Sequence, residues 1–253
     1  MLEYVFLIPL IPVLLLLGIA VGGACLLMWR MWMGWCFFPS IYEAAAKGSV
    51  RNVKHFVEVK RVDVNAKTKQ NWTPLHNAIL HSNVKVVEYL ITHGAYVNAT
   101  GAYGMTPLHF AADSFNVDIV KFLIERGADV NAKCNEGDTP LHYAAYIYSL
   151  DVVKCLVDLG ADVNAKNNDG ETPLHSAVKN LYVDYGNCDP NDPSGEFHDA
   201  NRANGDVLKY LIDEGADVHA KNNEGKTAFD VADTDEKKNF LKECVSLALS
   251  GRQ

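Results

Sequence analysis

Along residues 84–92 the apolar side chains Val86, Val87, Leu90 and Ile91 recur at helical spacing, and Ile119, Val120, Leu123 and Ile124 repeat the arrangement. Spacings of one, three and four place such residues on a single face of a helix, with polar residues opposite. The chain is therefore expected to hold short amphipathic helices, each with one stripe to bury. Residues 1–38 follow no such alternation: thirty are apolar, and only Glu3 and Arg30 are charged. From Tyr4 to Trp29 there are 26 residues without a charged side chain. At 1.5 Å per residue, about 20 apolar residues span a hydrocarbon core, so this run is long enough. Pro9 and Pro12 stand near its start, where a missing amide proton costs least. Tyr4 marks one end and Trp29, Trp32 and Trp35 the other, in the manner of an interfacial aromatic belt.

Residues 5–29 are thus predicted to be a single membrane-spanning helix within an anchor at 1–38. A cleaved signal peptide is the rival reading, but it wants a basic start and a shorter apolar stretch than Met-Leu-Glu and this run provide. No Lys or Arg precedes the span, whereas Arg30, Lys47, Arg51 and Lys54 follow it. The positive-inside rule then puts the remainder on the cytoplasmic side. Gly18 and Gly22 form a G-x-x-x-G that would let two helices approach and form a weak homodimer, although lipid-facing glycines at this spacing are common.

The rest of the chain repeats itself. Thr-Pro-Leu-His occurs at 73–76, 106–109, 139–142 and 172–175, each 33 residues after the last. Val-Asn-Ala keeps the same period at 64–66, 97–99, 130–132 and 163–165, as does Gly-Ala at 94–95, 127–128 and 160–161. Thr before Pro suits a helix start, with Thr as cap and Pro in the first turn. Gly94, Gly127, Gly160 and Gly215 suit left-handed helix ends. This 33-residue period with T-P-L-H resembles the ankyrin-repeat family over about residues 39–249. The resemblance implies an all-α solenoid of about six helix-turn-helix repeats, each burying its apolar face against its neighbours. With the N-terminal transmembrane helix, that gives the expected organisation: 1–38 anchor, 39–249 repeats.

The ends depart from the pattern as caps. Residues 39–67 lack Thr-Pro-Leu-His, and the last unit reads Thr227-Ala228-Phe229-Asp230. Where the family usually has glycine after the first helix, this chain has Ser82, Phe115, Tyr148 and Leu181. Bulky residues tolerate a left-handed backbone poorly, so Asn83 or Asn116 is expected to take that conformation instead. From Thr172 to Thr227 is 55 residues, which places 22 extra between the helices of the fifth repeat. The segment 181–203, with Asp184, Asp189, Asp192, Glu196, Asp199, Pro190, Pro193, Gly186 and Gly195, is expected to be a mobile acidic loop.

Charge narrows the function. Lys and Arg number 23 against 31 Asp and Glu, a net charge of −8. Glu3 and Arg30 cancel, so the acidic excess lies on the repeats and argues against nucleic-acid binding. Six scattered cysteines show no C-x-x-C and no zinc spacing. No G-x-S-x-G, H-E-x-x-H or phosphate-binding loop is present, so neither an enzyme nor a cofactor is expected. By resemblance, the repeated histidines are structural, and a protein partner would meet the hairpin tips and the exposed side of the first helices. Carried over by position, the tips offer Lys69, Trp72, Tyr103, Met105, Glu136, Asp138, Asp169 and Glu171, and the helices offer Asn77, Phe110, Tyr143, Tyr146 and Ile147. Trp72, Tyr103, Phe110, Tyr143 and Tyr146 would form an aromatic strip for binding, unless some of them pack between repeats. Asp189, Asp192 and Glu196 would dock a basic patch on that partner, or belong to a tolerated insertion without a role.

Overall fold

A computed structural model describes residues 40–181 and 196–250. The helices come in pairs. Ile41–Ala46 (α1) and Val50–Lys54 (α2, followed by a π turn to Val59) open the series. Pro74–Leu80 (α3) pairs with Val84–Thr92 (α4), and Pro107–Ala112 (α5) with Val117–Glu125 (α6). Pro140–Tyr146 (α7) pairs with Leu150–Asp158 (α8), and Pro173–Lys179 (α9) with Glu196–Asp213 (α10). Ala228–Val231 (α11) and Asp235–Ser250 (α12) close it. Among the described residues there is no strand. First helices pack on first helices (α1, α3, α5, α7, α9) and second helices on second helices, so each repeat is sandwiched by its neighbours.

The apolar stripes of the sequence are the core of this stack. Leu75, Leu108, Leu141 and Leu174 are buried beside Leu90, Leu123, Leu156 and Leu211. Ala78, Ala111, Ala144 and Ala177 have no exposed surface, and their small size lets successive first helices approach. Gly205 serves the same end between α10 and α12: a Cβ there would lie 3.1 Å from the ring of Phe240. Gly94, Gly127, Gly160 and Gly215 end the second helices at φ between 90° and 96°, as the sequence predicts.

Each Thr-Pro-Leu-His starts a first helix through one device. Pro fills the first turn, and the Thr and His side chains close a capping box at Thr73–His76, Thr106–His109, Thr139–His142 and Thr172–His175. The Thr backbone N–H donates to His Nδ1 at 3.1–3.3 Å. In three repeats Nε2 donates to a carbonyl of the next repeat: His109 to Asp138, His142 to Glu171 and His175 to Lys226, at 3.0–3.2 Å. An accepting Nδ1 and a donating Nε2 together fix the neutral tautomer. In the last repeat Asp230 replaces histidine, its carboxylate accepting from the Thr227 N–H at 2.9 Å and from its hydroxyl at 2.7 Å. Asp230 is exposed, so the charge remains hydrated.

Two expectations are corrected. Ser82, Phe115 and Tyr148 themselves adopt the left-handed conformation, with φ of 53°, 56° and 58°. Asn83 and Asn116 keep negative φ because they have other duties. Asn116 Oδ1 caps α6 by accepting from the Ile119 N–H at 3.1 Å, while Asn83 Nδ2 donates to the Ala45 and Ala46 carbonyls at 2.7 and 2.8 Å. The non-glycine left-handed cost of roughly 1–2 kcal/mol therefore falls on the preceding residue, where Tyr148 anchors itself by donating its hydroxyl to the Ala177 carbonyl.

The second correction concerns the insertion. α10 begins at Glu196, nine residues ahead of the place matching Leu150, so residues 196–203 are helix and not loop. The breakers Pro190, Pro193 and Gly195 all precede Glu196. The stretch that follows, Glu-Phe-His-Asp-Ala-Asn-Arg-Ala, has two alanines and opens with acidic residues that suit a helix N-terminus. Residues 5–29, Gly18, Gly22, Asp189 and Asp192 lie outside the described residues. Among the described residues no helix is long and apolar enough to cross a membrane.

Candidate docking groove

Between one second helix and the next first helix the chain makes a hairpin tip, which carries most of the candidate residues. Five tips close identically, the first residue's N–H donating to the fifth residue's carbonyl: Thr68–Trp72, Gly101–Met105, Cys134–Asp138, Asn167–Glu171 and Asn222–Lys226, at 2.8–3.0 Å. The last three are also tied in a ladder. Asn135, Asn168 and Asn223 donate their N–H to the carbonyls of Tyr103, Glu136 and Asp169 at 2.8–3.0 Å. The side chains of Asn168 and Asn223 add bonds to the Asn135 and Asn168 carbonyls, both at 2.8 Å. At this position the second tip has Ala102, and no such bond links it to the first tip among the described residues.

The predicted aromatic strip divides into two places. In the first, Trp72 and Phe110 lie 4.9 Å apart between ring centroids, each against His76 at 6.2 and 5.4 Å. Phe110 is buried here, in the manner of a packing residue. Tyr103 stands apart, 75% exposed at φ 57°, with Lys69 exposed and Met105 half-buried.

The second place brings four candidates together. Glu136 and Asp138 from the third tip and Tyr143 and Tyr146 from α7 line a cavity of about 200 Å³, joined by His142 and Ser176. Asp138 is held by a 2.8 Å bond from Asn167 Nδ2 to its Oδ1. Tyr143 rests edge-on to His109 at 5.7 Å, its hydroxyl 3.9 Å from Cys134 Sγ. Burial first, then Cys134, Asp138 and Glu136, push the Tyr143 hydroxyl well above its ordinary pKa, so it stays protonated. Burial likewise keeps the His142 ring below its ordinary value and neutral. One repeat further on, the equivalents of Asp138 and Tyr146 are Glu171 and Lys179, and there the ammonium meets the carboxylate at 2.6 Å. Ser176 was not singled out by the sequence, although it continues the 33-residue series Asn77, Phe110, Tyr143.

Glu196 opens α10, away from these tips in sequence, and Asp189 and Asp192 lie outside the described residues. Among the described residues no group of His, Cys, Asp and Glu is placed to hold a metal ion. Cys155 and Cys244 are buried thiols pushed up by desolvation, Cys244 to about 11.

Segments of well-characterised proteins share this pattern. The chain is 44% identical over 61 residues to alpha-latrocrustotoxin-Lt1a of Latrodectus tredecimguttatus, which is 24% of this chain and 4% of the toxin. It is 37% identical over 60 residues to palmitoyltransferase akr1 of Schizosaccharomyces pombe, 24% of this chain and 9% of that enzyme. It is also 42% identical over 57 residues to the 2-5A-dependent ribonuclease of Mus musculus, covering 22% and 8%. The chain thus spans less than a tenth of the length of each of these relatives, and the likeness extends to a shared module. The family model for ankyrin repeats, in three copies, matches residues 41–134 and 131–189. Matched over more than half its length, and built of paired helices with capped Thr-Pro-Leu-His starts, the chain belongs to the ankyrin-repeat family.

Proposed function

We propose that this chain is a protein-docking module, an adaptor or tether, that receives its partner in the groove formed by the third tip and α7 while residues 5–29 hold it at a membrane with residues 39–253 on the cytoplasmic side. Ankyrin repeats as a family are protein-interaction modules. The observation that carries the placement is the cavity where Glu136, Asp138, Tyr143 and Tyr146 converge, with Tyr146 47% exposed. Tyrosine beside fixed polar groups is the composition found at interaction hot spots. Anchoring rests on the 26 uncharged residues from Tyr4 to Trp29 and on the basic residues that follow them.

Two measurements test this reading. A photo-crosslinking residue at Tyr146 in the full-length protein in cells should capture a partner, while one at Lys121 on α6, in the second-helix layer, should not. Capture confined to Lys121 would remove the groove from the reading. Protease added outside intact cells should leave residues 39–253 uncut; cleavage there would reverse the orientation.

A further inference from the structure

We infer that the cavity at the third tip is a receptor for one arginine side chain of the partner, an inference that rests on the docking reading above. A volume of about 200 Å³ falls below the roughly 300–1,000 Å³ of small-molecule sites. It therefore suits a single long side chain better than a metabolite. Two of its lining residues are the acids Glu136 and Asp138, and among the described residues neither is paired with a cation. Asn167 Nδ2 occupies Asp138 Oδ1, which orients the carboxylate. Tyr143 and Tyr146 line it as well. The remaining lining groups, the neutral His142 ring and the Ser176 hydroxyl, bring no positive charge.

The next repeat shows which chemistry fits such a place. Where this groove has Asp138 and Tyr146, that one has Glu171 and Lys179, joined at 2.6 Å. The fifth repeat thus supplies its own cation from the first helix. In the fourth, tyrosine replaces that lysine, the acid stays, and a cavity opens. Two carboxylates beside two aromatic faces favour guanidinium over ammonium, because a planar fork can bond to carboxylate and stack on a ring together.

The test is an NMR titration of the full-length protein in detergent with blocked Gly-Arg-Gly, and with Gly-citrulline-Gly as its neutral isostere. The arginine peptide should shift the Tyr143 and Tyr146 ring signals saturably, less so as salt rises, and the citrulline peptide should not. Tyr146→Lys, which copies the fifth repeat, should weaken binding at least tenfold. Glu136→Gln, at an exposed tip position, should weaken it several-fold and serves if the first variant folds poorly. No saturable shift, equal binding of citrulline, or undiminished binding by a folded Tyr146→Lys protein would each overturn the inference. If Tyr146 captures a partner in cells while Gly-Arg-Gly does not bind, this inference falls and the docking reading stands. Capture confined to Lys121 removes both.

Discussion

The first two tips and the last three are closed by the same backbone bond, yet they are held to their neighbours by different forces. Residues 134–138, 167–171 and 222–226 are laced by asparagine, each tip bonded to the one before it. Among the described residues no such lacing joins residues 68–72 to 101–105, and those two repeats meet through the rings of Trp72, His76 and Phe110. The difference reaches the capping histidines. His109, His142 and His175 each find a carbonyl in the next repeat, whereas His76 Nε2 is buried without a well-formed bond. Gly101 presses on it instead, close enough that a Cβ would lie 3.1 Å from Nε2. The carbonyls of Met105 and Ala99 are near without satisfying it. The contrast coincides with one register position: asparagine at 135, 168 and 223, alanine at 102, with side-chain bonds added at 168 and 223.

Acid gives the largest expected effect. Burial lowers all four histidines below their ordinary value of 6.5, His76 to about 4. Between the unfolded and folded values the unfolded chain binds more protons, so stability is complete above about pH 6.5 and declines as pH falls toward about 4. His76 alone accounts for about 3 kcal/mol of that decline, at about 1.4 kcal/mol per pKa unit. Thermal midpoints across this range should fall steeply, and an NMR titration should find His76 protonating last. If His142 protonated last, the contrast between the tips would not extend to their histidines.

Next in size is a pair of substitutions. His142→Ala leaves the Thr139 N–H and the Glu171 carbonyl without their partners and should cost about 3 kcal/mol in denaturant unfolding. His76→Ala gives up no carbonyl bond and should cost about 1 kcal/mol less. Equal losses would mean that the missing bond carries no weight. Gly104→Ala should cost roughly 1–2 kcal/mol, since φ is 71° and the new Cβ would overlap Asn135 Oδ1. The smallest change should be a gain: Ala102→Asn offers the first two tips the missing rung and should stabilise by about 0.5–1 kcal/mol. A neutral result would show that the ring cluster already fixes their spacing.

What the sequence reveals of this molecule follows from what repeats. Four copies of Thr-Pro-Leu-His place the first helices, their caps and their buried histidines, because the local chemistry is complete within four residues. Ser82 and Phe115 are harder to read. Their left-handed backbone is imposed by the helix end, while the asparagine that would bear it more easily is committed to capping or to the preceding repeat. The helix at 196–203 is legible only once the breakers are seen to stop at Gly195. Glu136, Asp138, Tyr143 and Tyr146 can be chosen from position. The opening among them needs the comparison of Tyr146 with Lys179, which concerns two repeats at once.

Asp230 also sets a rule for how such an array can grow. A neutral histidine in the capping position can be covered by a following unit, and its second nitrogen then becomes a connector, as at His109, His142 and His175. A carboxylate performs the same capping at Asp230 but has no proton to offer onward. Stacking another unit upon it would strand a charge in a dry seam. Duplication of internal units can therefore lengthen the array, whereas a unit laid over Asp230 would have to hydrate or pair its carboxylate. A single atom type, nitrogen or oxygen, distinguishes a cap that also links to the next unit from one that only caps.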